Sequence, residues 1–446
     1  MFANIISAIS QVGGDLGAID IVRVEKGKII RDITANALDE QHEKRIVNSI
    51  KKIEGVKVIR VMDRTFSAHE GGKIEIHNKI PVRDRNDLSK VYTPGVARIC
   101  RDIHENTEHA YRYTIKGNAV AIVTDGTAVL GLGDIGPEAA MPAMEGKAMI
   151  FKEFARIDAF PIALKTKDTE KIIETVKNIS TTFGGINLED ISAPRCFEIE
   201  ARLRKELSMP VIHDDQHGTA VVVLAALINV ARLLKRELKR FKVVVAGAGA
   251  AGSATAKILS AYGIKDIIVC DRTGTIYEGR RQNMNKYKRV LAKITNPRNI
   301  KGSISDAMRG ADVFIGLSAP NIITTDDIHR MSKEPVVFAL ANPDPEIAPE
   351  DVLPIVKILA TGRSDYPNQI NNMLSFPGIF RGLLDVKAKG VNEEVKFAAA
   401  EAIAYTIKAD ELHEDYIIPS VFDRKVVFSI AHEVAEAARK TGLARK

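Results

Sequence analysis

Short apolar runs alternate with stretches of helical periodicity through the second half of the chain. After an apolar stretch at 220–234 that is typical of a buried helix, these runs lie at 242–246, 266–270, 313–317, 336–340 and 355–360. Strands that alternate with helices in this way indicate a doubly wound parallel sheet. The sequence therefore predicts an α/β domain of Rossmann type over 218–446. A helix at 426–435 would belong to its core or to an interface.

The first part of the chain carries a different and shorter pattern. Alternation and helical periodicity predict, in order, a helix at 2–12, strands at 18–24 and 28–33, a helix at 39–53 and a strand at 56–61. A polar stretch at 67–72 separates this module from a region of mixed helix and strand signals. We therefore expect a short N-terminal α+β module at 1–66 and a smaller α/β domain at 67–217 ahead of the Rossmann-type domain.

Length and composition place the chain among folded multidomain proteins. The 446 residues suggest roughly three domains, and the hydrophobic fraction of 45% and charged fraction of 27% are ordinary for globular proteins. The net charge of +7 is spread along the sequence, so it predicts no nucleic-acid partner and suits an anionic small substrate equally well. Three cysteines without metal-type spacing, no signal-peptide pattern and no apolar stretch of membrane-spanning length predict a cytoplasmic protein without membrane association.

A glycine turn follows the first strand of the Rossmann-type domain and opens a helix. Its sequence runs from Gly247 through Gly249 to Gly252, and Ala250 and Ala251 stand at the start of the helix. Gly247 permits the tight turn, Gly249 lets the backbone approach a pyrophosphate, and Gly252 permits close helix packing. Because the helix N-terminus also attracts phosphates, this turn predicts a nicotinamide dinucleotide site.

The residue that would bind the ribose lies at the end of the next strand. Asp271 follows Gly252 at close to the spacing expected for such an acid. Its carboxylate can accept hydrogen bonds from a free 2′-hydroxyl and would repel a 2′-phosphate, which favours NAD. Arg272 is adjacent and can bind a phosphate, so NADP stays an alternative.

Acidic pairs and a lysine dominate the polar clusters between residues 89 and 217. The pairs Glu189-Asp190 and Asp214-Asp215 supply hard oxygen ligands of the kind that suits Mg²⁺ or Mn²⁺. Zinc is the alternative, because His213 and His217 are four residues apart, but the acidic turn between them argues against it. We therefore expect a divalent metal near the dinucleotide domain.

Several of these motifs, in the same order, resemble those of malic enzymes of the bacterial and archaeal type. The resemblance covers residues 70 to 446. It rests on Val-Tyr-Thr-Pro-Gly-Val-Ala, Gly-Leu-Gly-Asp, Glu-Gly-Lys-Ala, Asn-Leu-Glu-Asp, His-Asp-Asp-Gln-His-Gly-Thr-Ala, Ala-Asn-Pro and Asn-Asn-Met-Leu-Ser-Phe-Pro-Gly, which begin at residues 91, 131, 145, 187, 213, 341 and 371.

The resemblance implies oxidative decarboxylation of malate to pyruvate and CO₂, with reduction of NAD(P)⁺. Lys147 would be the general base for the C2 hydroxyl, with a pKa that the site must lower. Asp214 would orient this lysine but tend to raise its pKa, so the metal must matter. Tyr92, beside that lysine, would protonate C3 of enolpyruvate. The remaining roles implied are metal ligation by Glu189, Asp190 and Asp215, and binding of the malate carboxylates by the amides of Asn342 and Asn372.

The chain departs from the family pattern at the substrate loop. Many larger malic enzymes of animals carry an arginine after Thr-Asp-Gly that binds a malate carboxylate, whereas this chain reads Thr127-Ala128-Val129. We therefore expect the counter-charge to come from another residue or from the metal.

Residues 1 to 66 resemble part of an ACT regulatory domain, and the best-matching run is 13–20. The first strand of that βαββαβ module should precede the helix at 2–12, where only Met1 and Phe2 remain. We therefore expect one of two explanations. Either the module has an incomplete sheet and no effector site, or the first residue of the chain was assigned inside a longer reading frame.

Three other functions stay open from the residues. One is another two-domain NAD(P)-dependent dehydrogenase, which would not need Glu189, Asp190 and Asp215. Another is a non-catalytic protein that senses a dinucleotide and an amino acid, and the third is an oxaloacetate decarboxylase of similar plan with little hydride transfer. The family resemblance favours malate as substrate and implies a homodimer or a dimer of dimers.

Overall fold

The structure is a computed structural model that describes residues 1–25 and 27–445. It divides into two compact units, Met1–Gly72 and Lys73–Lys446. The elements of the first unit are α1 (Phe2–Gln11), β1 (Asp15–Glu25), β2 (Lys28–Asn36), α2 (Glu40–Lys51) and α3 (Arg64–His69).

An antiparallel pair of strands forms the centre of the first unit. β1 and β2 pair along their length, and α1 and α2 pack together with Ile9 and Ile46 buried. The strand predicted at 56–61 is wrong, because this stretch forms no ladder with any described residue. A strand exists only where a neighbour accepts its backbone hydrogen bonds, and the β1–β2 sheet has two strands. Alternation alone could not reveal this.

The second unit contains two parallel sheets and their helices. Its helices are α4 (Arg85–Val91), α5 (Val96–Glu105), α6 (Ala110–Tyr113), α7 (Pro137–Ala155), α8 (Thr169–Ile179), α9 (Arg195–Glu206), α10 (Asp214–Leu233), α11 (Ala250–Tyr262), α12 (Lys286–Ile294), α13 (Ile304–Met308), α14 (Thr325–His329), α15 (Pro349–Val352), α16 (Phe376–Asp385), α17 (Glu393–Thr406) and α18 (Arg424–Lys440). Its strands are β3 (Ala119–Thr124), β4 (Asp158–Ala163), β5 (Gly185–Leu188), β6 (Val211–His213), β7 (Lys242–Ala246), β8 (Asp266–Asp271), β9 (Gly274–Thr275), β10 (Val313–Gly316), β11 (Val336–Ala339) and β12 (Ile358–Thr361).

The smaller sheet brings the acidic motifs together. Its strands are all parallel and lie in the order β4-β3-β5-β6. Every residue of β3, β5 and β6 is buried. Because parallel strands end at the same edge of a sheet, the residues that follow β5 and β6 become neighbours there. These residues are the two acidic pairs.

The larger sheet confirms the predicted doubly wound Rossmann-type fold. Its strand order is β12-β11-β10-β7-β8-β9, and only the short β9 runs antiparallel. The chain passes from β7 to β8 on one side and later returns to β10 on the other side. This reversal of direction opens a crevice at the carboxyl end of β7, where such folds bind dinucleotides.

Helix α10 connects the smaller sheet to the larger one and shares a hydrophobic core with residues of both, and most of it is buried. It begins at Asp214, so the acidic pair opens the helix. The sequence instead predicted an acidic turn before the apolar stretch at 220–234. By length and composition α10 is apolar enough to cross a membrane, contrary to expectation, but 72% of the relevant window is buried inside the structure. Its apolar character is that of a core helix.

Candidate functional site

Lys147 stands at the centre of a buried cluster of charges. It lies in the middle of α7, and its side chain is 9% exposed. The Nζ atom is 2.5 Å from Oδ2 of Asp214 and 2.5 Å from Oε1 of Glu189. It also lies 4.4 Å from the centroid of the Phe376 ring. One lysine is therefore clamped by two carboxylates against an aromatic face.

The surroundings of Lys147 favour its protonated form. Burial lowers the pKa of its ammonium group, but the negative charges of Asp214 and Glu189 outweigh burial and hold the pKa above its ordinary value. The raised pKa agrees with the expected effect of Asp214, and the lowering that a general base requires is not supplied by these residues alone. The carboxylates that position the lysine also retain its proton.

Glu189 also belongs to a group of three converging carboxylates. Ligand atoms of Glu189, Asp190 and Asp215 all lie within 4.8 Å of one another, and the Asp190 N–H donates to Oδ2 of Asp215 at 3.1 Å. Burial, and then the charges of Glu189 and Asp215, raise the pKa of Asp190 to about 8. Burial is also the main cause that raises the pKa of Asp215 to about 6. Three converging carboxylates, one of them in contact with Lys147, fit a hard divalent cation.

Asn372 joins the lysine cluster, whereas Asn342 lies apart from it. The amide of Asn372 donates to Oδ2 of Asp214 at 2.6 Å, so this carboxylate binds both the amide and Lys147. Asn342 is exposed after β11, and its backbone oxygen lies against Gly131. No hydrogen bond joins Asn342 to Lys147 or Asp214. Of the two predicted substrate amides, the structure places one at the centre.

Tyr92 does not lie beside Lys147 in this chain, contrary to the expectation. It follows α4, its side chain is 67% exposed, and its hydroxyl makes no hydrogen bond with any described residue. The reason is that residues 73–110 lie on the surface of the second unit and contain no buried residue. The side chain of Tyr92 is therefore exposed, whereas that of Lys147 is buried.

The dinucleotide turn has the geometry that its glycines predict. Gly247 has φ of 116°, in the region that glycine favours, and its N–H donates to the Cys270 carbonyl at 2.8 Å. A Cβ atom at Gly252 would lie 2.0 Å from the Gly247 carbonyl oxygen, while Gly249 faces open space. Ala250 and Ala251 open α11. A cleft of about 470 Å³ borders this turn.

Asp271 lies in the wall of that cleft with two cations on its carboxylate. Arg280 Nη2 is 2.7 Å away and Lys288 Nζ is 2.6 Å away. Burial raises the pKa of Asp271, but hydrogen bonds from Lys288 and Arg280 bring it down to about 2. Arg272 also lines the cleft and is exposed. The carboxylate of Asp271 is therefore already ion-paired, which its spacing in the sequence does not reveal.

Sequence reasoning missed two residues that fix the acidic motifs. Glu200, buried on α9, accepts hydrogen bonds from the His213 N–H at 3.0 Å, from Gln216 at 3.1 Å and from His217 at 3.0 Å. His217 is therefore occupied by Glu200 rather than free for zinc. Asn187 donates to Oε2 of Glu189 at 2.8 Å. Asn187 stands within a quoted motif, but no signal in the sequence marked Glu200.

An arginine reaches the substrate loop from another element. Arg195, at the start of α9, lies 2.8 Å from the Asp125 carboxylate and donates to the Thr127 hydroxyl at 3.0 Å. It therefore brings positive charge to the loop in which the sequence carries no arginine. Nothing in its position along the chain indicated this contact.

A buried lysine with converging carboxylates, next to a Rossmann-type dinucleotide cleft, defines an NAD(P)-dependent oxidoreductase. Family models extend this assignment. The malic enzyme N-terminal domain matches residues 71–204, and the malic enzyme NAD binding domain matches residues 216–439. The chain therefore belongs to the malic enzyme family, whose members convert malate to pyruvate and CO₂ with reduction of NAD(P)⁺.

Individual relatives agree with the family assignment. The NAD-dependent malic enzyme of Geobacillus stearothermophilus is 59% identical over 445 residues, which cover 100% of this chain and 93% of that protein. The bifunctional malic/malolactic enzyme of Bacillus subtilis (strain 168) is 56% identical over 375 residues, or 84% of this chain and 92% of that protein. The crystal structure of the NAD-dependent malic enzyme from Thermotoga maritima aligns with a TM-score of 0.81 at 46% identity, covering 84% of this chain and 99% of the other.

Proposed function

We propose that Lys147 is the general base for malate oxidation in this malic enzyme, and that Asp214 and Asn372 position it. The single observation that carries this assignment is the contact of 2.5 Å between the lysine Nζ and the Asp214 carboxylate. Asp214 orients the Lys147 ammonium by accepting its hydrogen bond. The Asn372 amide donates to the same oxygen of Asp214 and so holds this carboxylate in place. A base held in one geometry can accept the C2 hydroxyl proton without a search through rotamers.

We further propose that Glu189, Asp190 and Asp215 hold Mg²⁺ or Mn²⁺. When bound, such an ion supplies positive charge that weakens the hold of the carboxylates on the Lys147 proton and polarises the C2 oxygen of malate. Asn187 keeps Glu189 turned toward the cluster, and Glu200 anchors the first turn of α10, which carries Asp215.

Tyr92 is our candidate for the proton donor to C3 of enolpyruvate. The proton that Lys147 takes from the hydroxyl balances the proton that Tyr92 gives to C3, so the cycle closes when the tyrosine recovers a proton from the lysine. This exchange requires the two groups to come within hydrogen-bond distance.

For the malate carboxylates we propose the amides of Asn372 and Asn342 as hydrogen-bond donors and Arg195 as the counter-charge. The contact of Arg195 with the Thr127 loop supports the role of the arginine.

For the cofactor we propose binding along Gly247, Gly249, Ala250, Ala251 and Gly252, with NAD preferred over NADP. The dinucleotide accepts the hydride from C2. The carboxylate of Asp271 favours a free 2′-hydroxyl, and Arg272 stands where it would meet a phosphate. The ion pairs of Asp271 with Arg280 and Lys288 reduce its negative charge and so make the preference moderate.

Assembly, location and domain division complete the proposal. We propose a homodimer or dimer of dimers, and a cytoplasmic location that the free state of all three cysteines supports. We divide the chain into an ACT-like regulatory module at 1–66, a catalytic domain at 67–217 and the Rossmann-type domain at 218–446. The α–β–β–α order at the N-terminus supports the ACT-like assignment.

One assay tests this proposal. Purified protein is mixed with malate, Mn²⁺ and either NAD⁺ or NADP⁺, and the absorbance of the reduced cofactor is followed with and without a chelator. We expect reduction that the chelator abolishes and that NAD⁺ supports better. Oxidation of an amino acid without metal would favour another two-domain dehydrogenase, and pyruvate from oxaloacetate without malate oxidation would favour a decarboxylase. Cofactor binding without any turnover would favour a sensing protein.

A further inference from the structure

Glu346 is a buried carboxylate that lies outside the lysine cluster. It has no exposed surface, and among the described residues no lysine, arginine or histidine pairs with it. Its two oxygens accept hydrogen bonds from backbone N–H groups instead. Burial raises the pKa of the Glu346 carboxyl, although these N–H donors oppose the shift. Because a buried polar group is costly unless it is hydrogen-bonded, the groups that this carboxylate binds indicate what it does.

Each oxygen of Glu346 binds a different loop. Oε1 accepts the N–H of Ser318 at 3.0 Å, and Oε2 accepts the N–H of Ala341 at 3.1 Å. Ser318 follows β10 and lines the dinucleotide cleft, while Ala341 follows β11 and directly precedes Asn342. Since β10 and β11 are neighbouring parallel strands, both loops leave the same edge of the sheet. One carboxylate therefore joins the cofactor loop to the segment that carries a proposed substrate amide.

The local backbone makes room for this carboxylate and fixes it. A Cβ atom at Gly316, the last residue of β10, would lie 2.2 Å from Cδ of Glu346. The Leu340 N–H donates to the Gly316 carbonyl at 3.2 Å, and the Ile322 N–H donates to the Glu346 carbonyl at 3.0 Å. Both the side chain and the backbone of Glu346 are therefore held between the two loops.

The contacts continue on both sides of Glu346. On the cofactor side, Ser318 lies against the glycine turn, where a Cβ atom at Gly247 would be 3.2 Å from Cβ of Ser318. On the substrate side, the Asn342 carbonyl oxygen would lie 3.0 Å from a Cβ atom at Gly131. A continuous series of contacts thus runs from the dinucleotide turn through Glu346 to the loop that carries Gly131.

We propose that Glu346 is a positioning residue that couples the dinucleotide cleft to the amide of Asn342. This inference rests on the proposed roles of the cleft and of Asn342. A dinucleotide in the cleft steadies the Ser318 loop, the loop holds the Glu346 carboxylate, and the carboxylate holds the N–H that precedes Asn342. Cofactor binding therefore prepares the site for malate, and by linkage malate strengthens cofactor binding by the same factor.

Hydrogen exchange of backbone N–H groups tests this coupling without turnover. In the wild type, NAD⁺ alone should slow exchange both in peptides that contain Ser318 and in peptides that contain Ala341. Glu346→Gln keeps the size of the side chain, but its NH₂ group then faces one of the two N–H donors, so one hydrogen bond is lost. NAD⁺ should bind this variant with a similar Kd by calorimetry, and it should slow exchange only in the Ser318 peptides.

Steady-state kinetics supply a second readout. Glu346→Gln should raise the KM for malate about tenfold and leave the KM for NAD⁺ nearly unchanged, because the cofactor loop keeps its contacts with the glycine turn. Gly316→Ala keeps the carboxylate but displaces it, so it should reproduce both results. Thermal unfolding checks that each variant is folded, and Glu346→Gln decides the matter by itself if Gly316→Ala does not fold.

Asp327→Asn is the matched control. Asp327 is also a buried carboxylate of the Rossmann-type domain, and it accepts the Thr324 N–H at 2.9 Å. Its replacement should lower the melting temperature, as that of Glu346 should, but leave the KM for malate and the NAD⁺ effect on the Ala341 peptides unchanged. If Asp327→Asn reproduces the losses of Glu346→Gln, these losses come from general destabilisation and the coupling is refuted.

The remaining outcomes also decide the matter. Slowed exchange in the Ala341 peptides of Glu346→Gln with NAD⁺, or an unchanged KM for malate, overturns the role of Glu346. NAD⁺ that leaves the Ala341 peptides of the wild type unaffected does the same. A wild type that fails to oxidise malate refutes the proposed function instead, and hydrogen exchange with NAD⁺ still decides whether Glu346 couples the two loops.

Discussion

The Nζ atom of Lys147 and the Oδ2 atom of Asp214 lie 2.5 Å apart in a part of the protein from which solvent is almost excluded. Asp214 is the first residue of α10, and Lys147 is in the middle of α7. Burial raises the pKa of the Asp214 carboxyl to about 6, although the lysine charge opposes this. Removal of Lys147 would leave the charges of Asp214 and Glu189 buried without a cation, which is strongly destabilising.

Replacement of Lys147 should separate positioning from proton transfer. Lys147→Arg keeps the positive charge but cannot give up its proton, so we expect malate oxidation to fall by about a thousandfold or more with a folded protein. Steady-state rates and thermal unfolding measure the two effects. Lys152→Ala on the same helix is the control, because its side chain is 63% exposed and it should keep the wild-type rate. Retained turnover in Lys147→Arg would remove this lysine as the base.

Metal affinity should rise with pH. Asp190 has a pKa raised to about 8, so its proton must leave before a cation binds, and affinity for Mn²⁺ should increase tens of fold between about pH 6 and pH 8. A carboxyl with a raised pKa in the folded state stabilises that state below its unfolded pKa and loses this contribution as pH rises through about 8. The protein without metal should therefore become less stable over the same range, and Mn²⁺ should restore stability.

Calorimetric titration of Mn²⁺ at several pH values, together with thermal unfolding, measures this linkage. Asp190→Asn removes the titrating carboxyl and should give weaker and flatter binding. Binding by the wild type that does not change with pH would show that these carboxylates are not the ligands.

Gly218 should tolerate no side chain. A Cβ atom at this position would lie 2.0 Å from Oδ1 of Asp214 and 3.1 Å from Cβ of Asn372. We expect Gly218→Ala to displace the carboxylate that holds Lys147, to lower kcat, and to destabilise the protein by about 1–3 kcal/mol.

The control for stability is Gly146→Ala, also within a helix. Its Cβ would meet only the end of Lys73 at 3.6 Å, so the helix should gain about 0.5–1 kcal/mol. Thermal unfolding compares the two variants. Equal stability of Gly218→Ala and the wild type would mean that the first turn of α10 can shift without cost.

Cofactor preference should depend on Asp271. With Asp271→Ala the cations of Arg280 and Lys288 lose their counter-charge, and their contact atoms lie 2.7 and 2.6 Å from the carboxylate. The ratio of kcat/KM for NAD⁺ to that for NADP⁺ should fall about tenfold or more, because a 2′-phosphate would then meet positive charge. Asp266→Ala, on the same strand and paired with Arg298, should leave the ratio unchanged. An unchanged ratio in Asp271→Ala would exclude this residue as the determinant.

The sequence predicted most of the Rossmann-type part. The strands beginning at 242, 266, 313 and 336 are confirmed, whereas the last strand begins at Ile358 rather than 355. Buried parallel strands consist of continuous apolar runs, and the turn after the first run needs glycine at positions where a side chain would prevent the turn or the close approach of a pyrophosphate. Both patterns depend only on residues close together in the sequence, so they can be recognised without knowledge of the fold. The helix at 426–435 is confirmed as part of α18 and contributes to the core.

Signals that depend on a distant partner were missed. The apolar alternation at 56–61 forms no strand, and nothing in the sequence indicated that Glu200 holds the turn containing His213 and Gln216. The ion pairs of Asp271 likewise come from residues further along the chain. The packing of the chain decides which polar groups meet, because it brings together segments that are far apart in the sequence. Composition and short-range spacing carry no information about such contacts.

The sequence by itself determined the order of elements, the dinucleotide turn, the acidic motifs and the family, because each depends on residue types at short spacing. Only the tertiary structure decided that Lys147 lies between Asp214 and Glu189, that both carboxylates raise its pKa, and that Tyr92 is exposed. The physical reason is that burial and charge act through space. Their balance at one ammonium group depends on which distant residues the fold brings within a few ångströms of it.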